Sequence, residues 1–188
     1  LINSVIIEMF ISQEKKKSNI AEYLIYMFQV EDIIRSMNFN IEEIEKHVIS
    51  RYQLTYNDRR DMREWYNSLA NIMKDKKLQY KGHSPLLTTI MDELNDLHIR
   101  ALSDPDEKIY QSLYQKARPG IMELKEKAGN TGKHEIETCL EGLYGLLLLR
   151  LSKKQINPET EKAFGLISKM LAHLSAKYKM VMEGEAEL

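Results

Sequence analysis

Apolar residues recur at intervals of three and four along most of the chain, a period that predicts helices rather than strands. The first clear stripe is Ile20, Tyr23, Leu24, Met27, Val30, Ile34 and Met37. Ser18 and Asn19 precede it, and Asn19 with Glu22 has the spacing of a capping box. Asn38 and Asn40 interrupt the pattern. Asn40 with Glu43 repeats the box, Phe39 is placed to staple against Ile44, and Ile41, Ile44 and Val48 face a second helix ending near Tyr52. A third helix is predicted over about 57–76, with Met62, Trp65, Leu69, Ile72 and Met73 on one side.

Ser84-Pro85 reads as a cap followed by proline in the first turn. Behind it Leu87, Ile90, Leu94, Leu97 and Ala101 form the cleanest stripe in the chain. Asp104-Pro105, with Glu107 at the box position, repeats the start signal for a fifth helix, with Ile109, Leu113, Tyr110 and Ala117 as its inward candidates. Pro119-Gly120 is expected to break or kink that helix, leaving Ile121 to Lys127 as a short continuation. Gly129 to Gly132 is a loop. A sixth helix over 134–153 turns Ile136, Leu140, Leu143, Leu147 and Leu151 inward. Asn157-Pro158 opens the last, with Ala163 or Phe164, Ile167, Leu171, Leu174, Tyr178 and Val181 on its stripe. Strand alternation is weak everywhere, 6–7 and 47–54 being the best stretches. The expectation is an all-α fold: a single-domain bundle of six to eight mostly antiparallel helices over 9–182, with 1–8 an upstream or non-native extension and 183–188 an acidic tail.

Composition narrows the function classes. The 188 residues carry 27 basic and 28 acidic side chains, a net charge of -1, with the signs interspersed around the apolar stripes. That balance argues against a dedicated nucleic-acid binder. One cysteine excludes a disulfide scaffold, and Cys139, among apolar neighbours, reads as a core residue. The apolar run Gly142 to Leu151 falls far short of the roughly 20 residues that span a bilayer, so no membrane partner is expected. LINSVIIEMF at 1–10 has neither a basic start nor a small-residue cleavage site, and the chain is read as cytoplasmic.

The familiar catalytic patterns are missing. No histidine has a glutamate three residues before it, and there is no HExxH, Gly-rich phosphate loop or Gly-x-Ser-x-Gly elbow. No catalytic residue, metal or cofactor is assigned. Glu43 and His47 share a face four apart, a weak metal signal by itself. Glu31 falls on the apolar stripe with Met27 and Ile34, so its carboxylate needs a partner, for which tyrosine hydroxyls or Arg150 are candidates. His98, in MDELNDLHIR, borders an apolar face. Tyr23, Glu31, His98 and Arg150 are therefore the candidate lining of a polar pocket. Lys15, Lys16, Lys17, Lys74, Lys76 and Lys77 are the candidate RNA contacts, though acidic neighbours accompany both runs. Gly142 and Gly145 inside an apolar helix allow another helix to approach closely, either in the core or in a self-association face.

Several ordered tracts carry a resemblance: EKKKSNIAEYLIYMFQVEDIIR (Glu14 to Arg35), MREWY (Met62 to Tyr66), DLHIR (Asp96 to Arg100), EIETCLEGLYGLLLLRL (Glu135 to Leu151) and INPETE (Ile156 to Glu161). Together these resemble an uncharacterised domain-of-unknown-function family of Bacteroides and related bacteria, from Met9 to the acidic tail. The resemblance implies an all-helical fold and carries no activity, ligand or catalytic residue with it. The function expected is non-enzymatic protein–protein interaction or self-association, with a homodimer or another protein as partner. A small-ligand binder or enzyme using the polar pocket is the first alternative, and a weak RNA-associated protein the second.

Overall fold

A computed structural model describes residues 16, 18–129 and 132–185, and all regular structure among them is helical. Among the described residues seven α-helices follow one another: α1 (Ile20–Ser36), α2 (Ile41–His47), α3 (Tyr56–Asp75), α4 (Pro85–Ser103), α5 (Lys108–Ala128), α6 (Glu135–Leu151) and α7 (Pro158–Met182). The contacts of the described residues gather into two compact units, one of residues 22–88 and the other of residues 18–21 with those from 89 onward. Of the weak strand stretches, 47–54 is a helix end and turn, and 6–7 lies outside the described residues.

In the first unit the stripe of α1 is buried as its period requires, from Tyr23 and Leu24 through Met27 and Val30 to Ile34. Asn40 caps α2, its side-chain oxygen accepting from the Glu42 and Glu43 N–H groups at 2.9 and 3.4 Å. Glu43 turns to His47 at 3.2 Å rather than closing the box. The α-helix ends at His47, short of Tyr52. Ile49–Arg51 forms a tighter 3₁₀ turn that drives Ile49 fully inside. Thr55 caps α3 through the Asp58 N–H at 3.2 Å. The buried face of α3 is Met62, Tyr66, Ala70 and Met73. This is rotated from the expected stripe, because burying the large Tyr66 ring carries Ile72 out to solvent.

In the second unit Ile90, Leu94, Leu97 and Ala101 of α4 are all buried, as expected. Asp104-Pro105 does not start α5 directly. The Asp104 carboxylate accepts from the Asp106 N–H at 2.9 Å, forming a side-chain-closed turn, and the helix begins at Lys108. Tyr110, Ala117 and Ile121 face inward while Ile109 is exposed. Pro119 does not break α5. Pro119 faces solvent, so its missing N–H removes a hydrogen bond on the outer side of the helix, where the freed carbonyl is open to solvent. Gly120 lies beneath α7: a Cβ there would stand 3.1 Å from the Ala163 Cβ. Glu107 pairs with Lys177, Tyr110 stacks near His173 and Gly120 meets Ala163, so α5 and α7 run antiparallel.

The His134 ring caps α6 by accepting from the Glu137 N–H at 3.1 Å. Gly142 is crossed closely, since a Cβ there would lie 3.0 Å from a Leu124 methyl and 3.2 Å from the Phe164 ring. Asn157 caps α7 at the Glu159 N–H, 2.8 Å away, with Pro158 in the first turn. Phe164, Ile167, Met170, Leu171 and Leu174 form its buried face. Ser175 Oγ accepts from the Ala21 N–H at 3.3 Å, satisfying a helix-start donor of α1. Glu183 to Glu185 close α7 in a turn, and 186–188 lie outside the described residues.

Candidate functional site

The first polar cluster surrounds Glu31, which is 1% exposed. A carboxylate that deep needs donors, because an unpaired charge cannot be held out of water. His83 Nδ1–H donates to Oε2 at 2.7 Å and the Ser84 N–H donates to Oε1 at 2.8 Å, at the start of α4. Arg35, one turn along α1, stands 3.8 Å from the same carboxylate. Its guanidinium also donates to the Leu78 carbonyl at 3.0 Å, to Asp32 at 2.8 Å and to the Gly82 carbonyl. The His83 ring stacks on Phe28 with centroids 3.9 Å apart. Burial, and then the Glu31 charge, push the Tyr23 hydroxyl above its ordinary value.

The second cluster lies where α4, α5 and α6 meet. His98 is buried, with Nδ1 2.6 Å from the Tyr110 hydroxyl and Nε2 3.6 Å from Glu135. Tyr114 donates to Glu135 at 3.1 Å, and the Lys125 ammonium stands 3.6 Å from it. The His98 imidazole leads in holding the Glu135 carboxyl below its ordinary value, against burial, with Tyr114 and Lys125 assisting. Burial pushes Tyr110 far above the usual phenol range, and pushes the Cys139 thiol up to about 12. Cys139 is thus an inert core group, as its apolar setting suggested.

Tyr23 and Glu31 come together in the first unit. In place of tyrosine hydroxyls or Arg150, Glu31 takes His83, Ser84 and Arg35. His98 belongs to the second unit with Tyr110 and Glu135. Arg150 is exposed at the end of α6, 3.5 Å from Glu161. A cleft of about 520 Å³ opens beside Lys125, Lys133 and Thr138, and none of the four expected pocket residues lines it. Reasoning from sequence missed the roles of His83, Ser84, Tyr110 and Glu135. Glu31 on an apolar stripe, with Arg35 four residues on, was the available signal, and its partners His83 and Ser84 lie about 50 residues away along the chain.

Three surface features complete the inventory. Lys15 and Lys17 lie outside the described residues, Lys16 stands 5.8 Å over the Tyr23 ring, and Lys74, Lys76 and Lys77 cluster at the end of α3. Among the described residues no helix is long and apolar enough to cross a membrane, and no group of three or more His, Cys, Asp or Glu is placed to hold a metal ion. The third feature is apolar: Leu148, Leu149 and Leu151, at the end of α6, are 40%, 46% and 61% exposed. A Cβ at Gly145, one turn before them, would meet nothing within 4 Å.

Fold and clusters together define an all-helical protein in which the ionisable side chains of Glu31 and His98 are buried and hydrogen-bonded. The chain belongs to the family described as Domain of unknown function (DUF4924), whose model matches residues 9–185. No curated protein and no solved structure matches it.

Proposed function

We propose that this is a non-enzymatic helical protein that works by protein–protein association, with a second copy of itself as the first partner. The observation that carries this reading is α6. Over Gly142 to Leu149 this helix is apolar on every side, and a helix surface of that kind belongs in an interior. Ile136, Cys139, Leu140 and Leu146 are buried as that rule requires, yet Leu148, Leu149 and Leu151 are open to water. Gly145 leaves room for another backbone on the same open end. Two copies meeting about a two-fold axis would cover the same leucines on both sides, the self-complementary arrangement of common homodimers. The buried clusters support a non-enzymatic reading, since His98, Tyr110 and Cys139 offer no surface to a substrate.

Light scattering coupled to size-exclusion chromatography, over a concentration series, tests the reading. The expected result is a dimer for the native chain and a monomer of unchanged melting temperature for Leu149→Arg. A native chain that stays monomeric, or a Leu149→Arg chain that still dimerises, overturns it.

A further inference from the structure

The connection between α3 and α4 is anchored at both ends and bare in the middle. At its start Lys77 adopts a left-handed conformation, φ 58°, with its N–H bonded to the Lys74 carbonyl and the Leu78 N–H to the Met73 carbonyl. This paired cap closes α3 in a fixed direction. The Leu78 carbonyl is then held by Arg35, which also holds the Gly82 carbonyl four residues later. Gly82 turns the chain at φ 88°, where a side chain would be strained. His83 and Ser84 end the connection on Glu31. Between these anchors Gln79, Tyr80 and Lys81 face solvent, and Tyr80 is 95% exposed.

Burying a glutamate, an arginine and a histidine to hold one short loop is costly, because desolvation opposes the attraction between the charges. What the arrangement delivers is a tip of fixed shape. Its charge is one-sided: Lys74, Lys76, Lys77 and Lys81 stand against the single Asp75 in residues 74–81, although the whole chain carries -1. All four lysines are exposed, and no ion pair involves Lys76, Lys77 or Lys81 among the described residues.

We infer that this latched loop is a docking site for an acidic polypeptide segment, whose carboxylates meet Lys76, Lys77 and Lys81 while its backbone or an apolar side chain lies on the Tyr80 ring. A preformed loop gives up little freedom on binding, which favours affinity. Opposite charges speed and orient the encounter. A single-stranded nucleic acid fits less well, because it calls for successive stacking platforms along a cationic groove. Here one aromatic ring stands on a tip of three residues, and the lysine run is interrupted by Asp75. The site is in the first unit and α6 in the second, so this inference and the self-association reading fail separately.

Fluorescence anisotropy with a labelled oligo-glutamate peptide containing one leucine tests the inference on the full chain, with labelled oligo-uridylate as comparison. Peptide binding at low salt should weaken by roughly tenfold in Lys76→Ala/Lys77→Ala/Lys81→Ala, and again in Tyr80→Ala, with melting temperatures unchanged. Arg35→Lys keeps the charge and loses the two-carbonyl grip. It should weaken binding and speed amide hydrogen exchange at 79–82. Absence of peptide binding, equal binding by the lysine variant, tighter binding of the uridylate, or unchanged exchange in Arg35→Lys each overturns the inference.

Discussion

Glu31 offers a direct measure of what a buried polar tie contributes. Its side chain is 1% exposed, so solvent screens little of the interaction. Replacing it with leucine leaves the Ser84 N–H and the His83 Nδ1–H without their acceptor, and an unsatisfied buried donor costs about 1–3 kcal/mol each. Arg35 adds less, since it retains Asp32 and the carbonyls of Leu78 and Gly82. The sum, partly offset by the apolar area leucine buries, predicts a loss of about 3 kcal/mol for Glu31→Leu. Glu31→Gln keeps an oxygen for Ser84 but loses the charge facing His83 and Arg35, and should cost about 1–2 kcal/mol. Urea unfolding followed by the fluorescence of Trp65, in α3 of the same unit, reads both values beside far-ultraviolet circular dichroism. Glu31→Leu/His83→Leu should recover part of the loss, because removing both partners removes the orphaned imidazole donor. A Glu31→Leu midpoint equal to that of the native chain would refute the reasoning.

Three further outcomes follow from named contacts. Gly145→Ala should stabilise by about 1 kcal/mol, the helix-propensity gain, while Gly142→Ala should lose that gain by pressing on Leu124 and Phe164; equal melting shifts would contradict the close crossing at Gly142. Cys139, buried with its thiol pushed up to about 12, should resist iodoacetamide in the native protein and react on unfolding in urea; rapid native labelling would contradict its burial. Glu135 has its folded value lowered below the ordinary 4.5, so its contribution is present above that pH and fades as pH falls through the folded value. Urea midpoints compared across the acid range should fall less steeply for Glu135→Gln than for the native chain, and parallel slopes would count against the linkage.

The helices were legible because their signals are local. Asn40, Asn157 and Pro158 act within one turn of their own position, and the stripe of α4 needs only its own period. Proline at 119 shows where local reasoning stops. Its penalty depends on which face of α5 meets water, and that is settled by α7 packing over Gly120. The register of α3 was misjudged for a similar reason. Met62 and Met73 are buried as expected, but between them Trp65, Leu69 and Ile72 form as good a stripe on paper as Tyr66 and Ala70, and only the packed neighbours of Tyr66 distinguish them. Of the candidate site residues, Glu31 announced its burial by position, whereas its tie to His83 spans 52 residues and leaves no trace in any local pattern.

Both polar clusters share a design that the apolar stripes cannot supply. Hydrophobic burial is non-directional, and a helix can slide or rotate within an apolar groove at modest cost. Glu31 binds the first N–H before α4, so it recognises the start of that helix and not merely its apolar side. The second cluster acts on the opening turn of α6, where Glu135 receives Tyr114 and faces His98 directly behind the His134 cap. In each case a carboxylate, buried for Glu31 and part-buried for Glu135, helps fix where a helix begins, and therefore the register of the residues after it. For α6 that register decides which leucines are enclosed and which are left open at 148, 149 and 151. The His98 and Glu135 cluster, which looks at first like active-site material, thus serves to hold the register of α6, which an apolar core alone would leave free to shift.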